Sequence, residues 1–274
     1  MDKEKIISLN QKGFFPQEKE TLDQYLKRFD EFKSSLKQEL EKTFFLTDRM
    51  KKPHWNWIEA ALISLYDFSP VEFIAYYNNK GLSFLQPAAT MIIENEQSIF
   101  SFIQLKKAFK KGRFLFYGRD EVLAHEAVHA ARAVFEDSRF EEIFAYAASS
   151  SKIRQILGPV LQQKKDFFLF FLFLVLLVFS SFFENRIFFH FGIIFFASFF
   201  SFSLFRVLYL KRKLKKTMIK LKKIFSFEDK ARFVLFRITR EEIECFSKWS
   251  VQKIRQYIEA NDELRWQIIK KVYQ

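Results

Sequence analysis

Cysteine occurs once in the 274 residues, at Cys245. A disulfide framework within the chain is therefore excluded, and a single thiol fits a reducing compartment. Glycine (6 residues) and proline (5) are scarce, which leaves few tight turns and points to a mainly helical chain. Behind Met1-Asp2-Lys3-Glu4-Lys5 there is no apolar run, so no secretory signal is expected there. Histidine is rare as well, with four residues.

Phenylalanine is abundant, with 39 residues, and much of it lies in two uncharged runs, 167–183 and 187–205. At 1.5 Å per residue, 17 to 19 residues span about 26 to 28 Å, close to the roughly 30 Å of a bilayer's hydrocarbon core. Only Glu184, Asn185 and Arg186 separate the runs, which predicts a tight antiparallel transmembrane hairpin. The formal charge is +13. Lys164 and Lys165 precede the first run, while Lys211, Arg212, Lys213, Lys215, Lys216, Lys220, Lys222 and Lys223 follow the second. By the positive-inside rule both termini are expected in the cytoplasm, in a two-span protein of the cell inner membrane. Leu214, Met218, Leu221 and Phe225 form an apolar stripe on this basic segment, as expected of a helix lying on anionic lipid headgroups. Because the basic charge is concentrated beside the membrane, nucleic acid is not expected as a partner. His190, inside the second run, is expected to be an interfacial residue, and His54 receives no role.

The remaining two histidines stand in Leu123-Ala124-His125-Glu126-Ala127-Val128-His129. On a helix, residues four apart share a face, so His125 and His129 can aim at one metal ion. Glu126 then falls beside the open coordination position, where its carboxylate can take a proton from water. Asp120 is the expected N-cap of this helix. The bland alternative is a helix with two incidentally spaced histidines. The His-Glu-x-x-His pattern is the signature of zinc metallopeptidases. The stretch resembles the zincins, and more narrowly the gluzincins, over about residues 110–150. That resemblance implies a third zinc ligand on a following helix. Membrane-embedded members often carry Glu-x-x-Ala-Asp there; Glu142 and Ala145 match, and Tyr146 departs at the Asp. Glu142 is thus the expected third ligand. Glu136 and Glu141 are the neighbouring carboxylates, with Glu141 expected to turn back into a capping box with Ser138. Arg132 and Tyr146 are candidates for stabilising the oxyanion, or else packing residues. The resemblance also implies a small sheet whose edge strand aligns the substrate; we expect that edge near 92–102.

Elsewhere, 16–45 reads as a surface helix with a Thr21/Gln24 capping box and an apolar stripe through Tyr25, Phe29, Phe32, Leu36 and Leu40. A second helix is expected over 55–66. A third is expected over 70–81, from Ser69-Pro70 to Gly81. Residues 90–93 and 113–117 read as short strands, and 99–109 as strand or helix. Thr239 with Glu242 forms another capping box in a helical tail, which either packs on the catalytic region or recognises partners.

The expected fold is α+β and mainly helical. A zincin-like domain (1–160) with a small sheet precedes the transmembrane hairpin (161–210), then a basic helix and helical C-terminal region (211–274). The expected function is zinc-dependent hydrolysis of polypeptide substrates at the cytoplasmic face of a bilayer with anionic lipids, with zinc as cofactor. A non-catalytic membrane scaffold that retains the fold, and another metal-assisted hydrolysis, are the alternatives.

Overall fold

A computed structural model describes residues 3–33, 48–50, 55–84, 86–95, 98–137, 139–161, 164–182 and 186–274. Leu36, Leu40, His54 and Ser138, which figured in the expectations above, lie outside the described residues. The described part is mainly helical with a small sheet.

Helices α1 (Lys3–Gln11), α2 (Leu22–Glu31) and α3 (Asn56–Tyr66) come first. The Thr21/Gln24 capping box forms in both directions, so α2 starts at Leu22 and not near residue 16. Tyr25, Phe29 and Phe32 are buried on its inner face. The expected third helix over 70–81 does not form. Instead β1 (Ala75–Tyr77) follows α3. All five residues from Phe73 to Tyr77 are buried. A continuous apolar run covered on both sides belongs to a strand with a parallel neighbour, and periodicity alone does not separate it from a buried helix.

That neighbour is the central strand of a three-stranded sheet in the order β1-β3-β2. β2 (Ala88–Asn95) and β3 (Ser98–Leu105) pair antiparallel, and β1 pairs parallel to β3. The edge strand on the far side from β1 is therefore β2, whereas the expected edge at 92–102 takes in only the end of β2 and then the first part of the central strand β3. Residues 99–109 divide into β3 and a 3₁₀ turn at Lys107–Lys111. A two-residue-per-strand hairpin, β4 (Arg113–Phe114) and β5 (Tyr117–Gly118), then leads into α4 (Arg119–Arg132). The N-cap of α4 is Gly118; Asp120 sits in the first turn, where its charge complements the helix dipole.

Helix α4 is the centre of the molecule. Val122, Leu123, Ala124, Ala127, Val128, Ala130 and Ala131 are buried, and the sheet lies against it. Ser101 of β3 donates a hydroxyl hydrogen bond to its Ala130 carbonyl at 2.9 Å, and Thr90 Oγ1 of β2 lies 3.0 Å from its Glu126 carbonyl. After a 3₁₀ turn, Glu136 adopts a left-handed conformation (φ 47°) and the chain reverses. Buried Asp137 accepts hydrogen bonds from the Arg139 and Phe140 amides at 3.0 and 3.1 Å, so an aspartate satisfies the entry to α5 (Glu141–Ala147).

Next come α6 (Lys152–Leu157), a 3₁₀ turn at Gly158–Val160, and two apolar helices, α7 (Lys164–Ser180) and α8 (Arg186–Phe225). The two run in opposite directions side by side. Phe170 meets Phe196, Phe173 meets Phe195 and Phe199, and Asp166 pairs with Arg206 at 2.6 Å. Gly192 lets the backbones approach, since a Cβ there would stand 2.9 Å from Ser180 Oγ and 3.4 Å from Leu177 Cα. By length and composition, α8 is the one helix among the described residues able to cross a membrane; α7 is apolar but shorter.

Helix α8 runs unbroken through residue 210 into the basic segment. There Leu214, Leu221 and Phe225 are buried, with Met218 packed against the core. The stripe expected to rest on headgroups is instead covered by α9 (Glu228–Arg237), α10 (Arg240–Phe246) and α11 (Val251–Ala260). With α12 (Leu264–Tyr273), this tail joins the core around α4. Phe236 stacks on Tyr66 with ring centroids 4.0 Å apart. Arg237 reaches Asn10 Oδ1 at 2.7 Å and the Asp67 carbonyl at 2.8 Å. The tail thus packs on the region that carries the histidines.

A candidate metal centre between two helices

His125 and His129 lie one turn apart on the same face of α4, and α5 crosses that face. Their Nε2 atoms are 3.2 Å apart. The Glu142 carboxylate reaches both: Oε1 lies 3.6 Å from His129 Nε2, and Oε2 lies 3.7 Å from His125 Nε2. Ligand atoms of these three residues all fall within 4.8 Å of one another. Two ligands each about 2.0–2.1 Å from a tetrahedral zinc are separated by roughly 3.3 Å, so the donor set fits zinc in composition and spacing. The turn at Glu136 and Asp137 brings α5 back; Glu136 itself is not in the cluster.

Glu141, expected to turn towards its own helix start, faces His129 instead. Its Oε2 lies 3.3 Å from Nδ1, the ring nitrogen pointing away from the cluster. A carboxylate in that position fixes the tautomer and orientation of a histidine ligand. Tyr146 sits edge-on to the His125 ring, with centroids 4.6 Å apart. Gly158 makes this placement possible, because any side chain there would overlap the Tyr146 ring.

Glu126 is buried beside the cluster. Thr90 Oγ1 donates to its Oε2 at 2.7 Å. Burial raises the Glu126 carboxyl above the ordinary glutamate range, against the pull of His129 and the Thr90 hydrogen bond. Burial also raises Glu142, to about 7, with the charges of Glu126 and Glu141 adding to it and that of His129 opposing. His125 is held well below the usual imidazole value by burial and by His129. For His129 burial acts downward, yet the Glu141 hydrogen bond and the Glu142, Glu141 and Glu126 charges lift it to about 9. His129 is thus faced by three carboxyl groups that favour its charged form, so the cluster favours positive charge.

A cavity of about 200 Å³ opens onto His125, Glu126 and Glu142, with Ala88, Tyr117 and Tyr146 among its walls. Ala88 begins the edge strand β2. Arg132 does not reach this cavity. It is fully buried, donating to the Phe236 and Ile238 carbonyls and to Asp137 Oδ2 at 3.0 Å. Among the two oxyanion candidates, only Tyr146 lines the site.

Sequence reasoning missed Thr90 and the role of Glu141. A threonine in a strand is ordinary, and nothing local ties it to a helix 36 residues later. Glu141 carried a signal, its place immediately before the matching Glu142, but the capping-box reading competed with it.

No protein-family model matches the chain, and comparisons with curated proteins and with solved structures return no match.

Proposed function

We propose that the chain is a membrane-anchored zinc metallopeptidase acting on polypeptides at the cytoplasmic membrane face. The observation that carries this reading is the convergence of His125, His129 and Glu142 beside Glu126, with His125, Glu126 and Glu142 lining a cavity. His125, His129 and Glu142 would hold the metal, and Glu141 would orient His129. Zinc, when bound, supplies the Lewis acidity that activates water and polarises a carbonyl. Glu126 would take the proton from the attacking water and deliver it to the leaving amine. Of the two oxyanion candidates Tyr146 is the one that lines the cavity, and its hydroxyl would donate towards a developing oxyanion. The edge strand β2 offers main-chain groups on which an extended substrate can pair.

The membrane anchor in this reading is α7 together with the first half of α8. Only 17 % of the most apolar stretch of α8 is covered by the chain itself, so lipid is the natural cover. Both termini are assigned to the cytoplasm. Elemental analysis tests the metal: about one zinc per purified chain is expected, lost in the His125→Ala/His129→Ala double variant. Full retention in that variant removes the assignment. Reporter fusions at the two termini should both read cytoplasm, and resistance to alkaline carbonate should mark an integral protein.

A further inference from the structure

We propose that the hairpin β4–β5 and helix α6 dip into the headgroup layer of the same bilayer, so that the cavity opens along the membrane surface. This rests on the reading that α7 and α8 span the membrane.

Five large apolar side chains carry the inference. Leu115 and Phe116 form the tip of the hairpin, and Phe116 is 86 % exposed. On α6, Ile153, Ile156 and Leu157 share one face at spacings of three and one, and Ile153 is 70 % exposed. Arg154, on α6 beside that face, joins the two groups. It donates to the Phe116 carbonyl and to Glu121, and its guanidinium lies 5.1 Å from the Tyr117 ring centroid. Such a patch on a water-exposed surface needs a cover.

The height of α6 along α8 identifies the cover. Lys211 Nζ donates to the Gln155 carbonyl at 2.9 Å, and Arg206 Nη2 to the Val160 carbonyl at 3.2 Å. Residues 155–160 therefore rise along α8 between the levels of Lys211 and Arg206. The exposed surface of α8 is still apolar at Phe205, Leu208 and Tyr209 and becomes charged at Arg212. A tyrosine followed by arginine and lysine marks the boundary between acyl chains and water. From Arg206 to Lys211 is about 7.5 Å of helix, comparable with the roughly 5 to 7 Å of headgroup region on each side of the hydrocarbon core. Ile156 and Leu157 therefore sit at headgroup height. The cavity is lined by Arg154 and Leu161, on either side of this rising segment. The substrate class this geometry fits is a polypeptide segment lying in the headgroup layer, such as the juxtamembrane stretch of a membrane protein.

The test uses the full chain in lipid nanodiscs, with Cys245→Ser as background. Single cysteines replace Phe116, Ile153, Phe179 in α7, and Ile63 in α3, each labelled with an environment-sensitive fluorophore. Ile63 neighbours Ser64 and Leu65, whose carbonyls accept from Arg232 beyond the far end of α8. Lipids carrying a nitroxide at a shallow acyl position should quench labels at 116 and 153 several-fold more than at 63, and should also quench 179. Labels at 116 and 153 that match 63, with 179 quenched, overturn the proposal and leave the spans intact. No quenching at 179 removes the spans, and the proposal with them. Blue-shifted but unquenched labels at 116 and 153 mean that protein, such as a second copy of the chain, covers the patch; that also overturns it. A scissile peptide tethered to lipid should be cleaved with higher kcat/KM than the same peptide free. Equal values reject the substrate class, whereas no cleavage of either rejects the peptidase reading.

Discussion

Thr90 on the edge strand holds Glu126 on the central helix through one hydroxyl proton, which lies between the carboxylate oxygen at 2.7 Å and the Glu126 carbonyl at 3.0 Å. A single hydroxyl thereby ties the strand offered to the substrate to the residue that moves the proton. Among the described residues Thr90 is the hydrogen-bond donor to the Glu126 carboxylate, and in catalysis a misplacement of about 1 Å can cost on the order of a hundredfold in rate. Thr90→Val keeps the shape and removes the donor. It should lower kcat about tenfold with KM and zinc content unchanged, and Thr90→Ser should restore most of the loss. Loss of zinc in Thr90→Val, or a change confined to KM, would show that Thr90 serves the site in some other way.

The two adjacent glutamates of α5 should separate cleanly. Glu142 faces both histidines, while Glu141 touches only the outer nitrogen of His129. Glu142→Ala removes a ligand, and zinc affinity should collapse. Glu141→Ala removes an orienting partner, and affinity should fall about 10- to 100-fold. Competition against a chelator measures both, with circular dichroism confirming that each variant folds. Equal affinity for Glu142→Ala and wild type would move the third ligand elsewhere, with Glu141 the first to test.

Acid should weaken the tail's grip on the core through Glu242. Burial acts to raise this carboxyl. Arg265, which donates to both oxygens at 2.7 and 2.9 Å, outweighs burial with help from the Thr239 amide and Trp266 Nε1, and the carboxyl is held below the usual range. A depressed folded-state pKa contributes stability that is fully present above the unfolded value, near about 4.3, and is lost as pH falls towards the folded value. Thermal unfolding of the full chain should therefore show a melting temperature that declines below about pH 4.3. Glu242→Gln should be less stable by about 3–5 kcal/mol at neutral pH, because it leaves Arg265 buried without its counter-charge. It should also lose part of that acid dependence. Parallel pH curves for the two proteins would mean that Glu242 is not the group responsible.

How much of this was legible in the sequence depended on the range of the interaction. His125, Glu126 and His129 share one helical turn, so their spacing alone brings them together. The Thr21/Gln24 and Thr239/Glu242 capping boxes are local too, and both form. The segment 70–81 misled because Ser-Pro at its start and Gly at its end imitate helix punctuation. The parallel partner that makes Ala75–Tyr77 a strand lies nearly thirty residues away. The Leu214 to Phe225 stripe was correctly read as one face of a helix, but a stripe does not say what covers it. Here α9 to α11 do, while Arg212, Lys215, Lys216, Lys222 and Lys223 stay exposed and Lys220 donates to the Phe246 and Ser247 carbonyls. Arg132 was legible only as a residue one turn beyond His129; its partners Phe236 and Ile238 are over a hundred residues away.

The central claim is that this site hydrolyses peptide bonds with Glu126 handling the protons. The most direct measurement is cleavage of membrane-protein substrates by the zinc-loaded full chain in lipid, comparing wild type with Glu126→Gln at verified equal metal content. Cleavage by the wild type, with a loss of several orders of magnitude in kcat for Glu126→Gln and zinc fully retained, is the predicted result. A wild-type chain that binds zinc and cleaves nothing, or a Glu126→Gln variant that cleaves as fast as wild type, would contradict it.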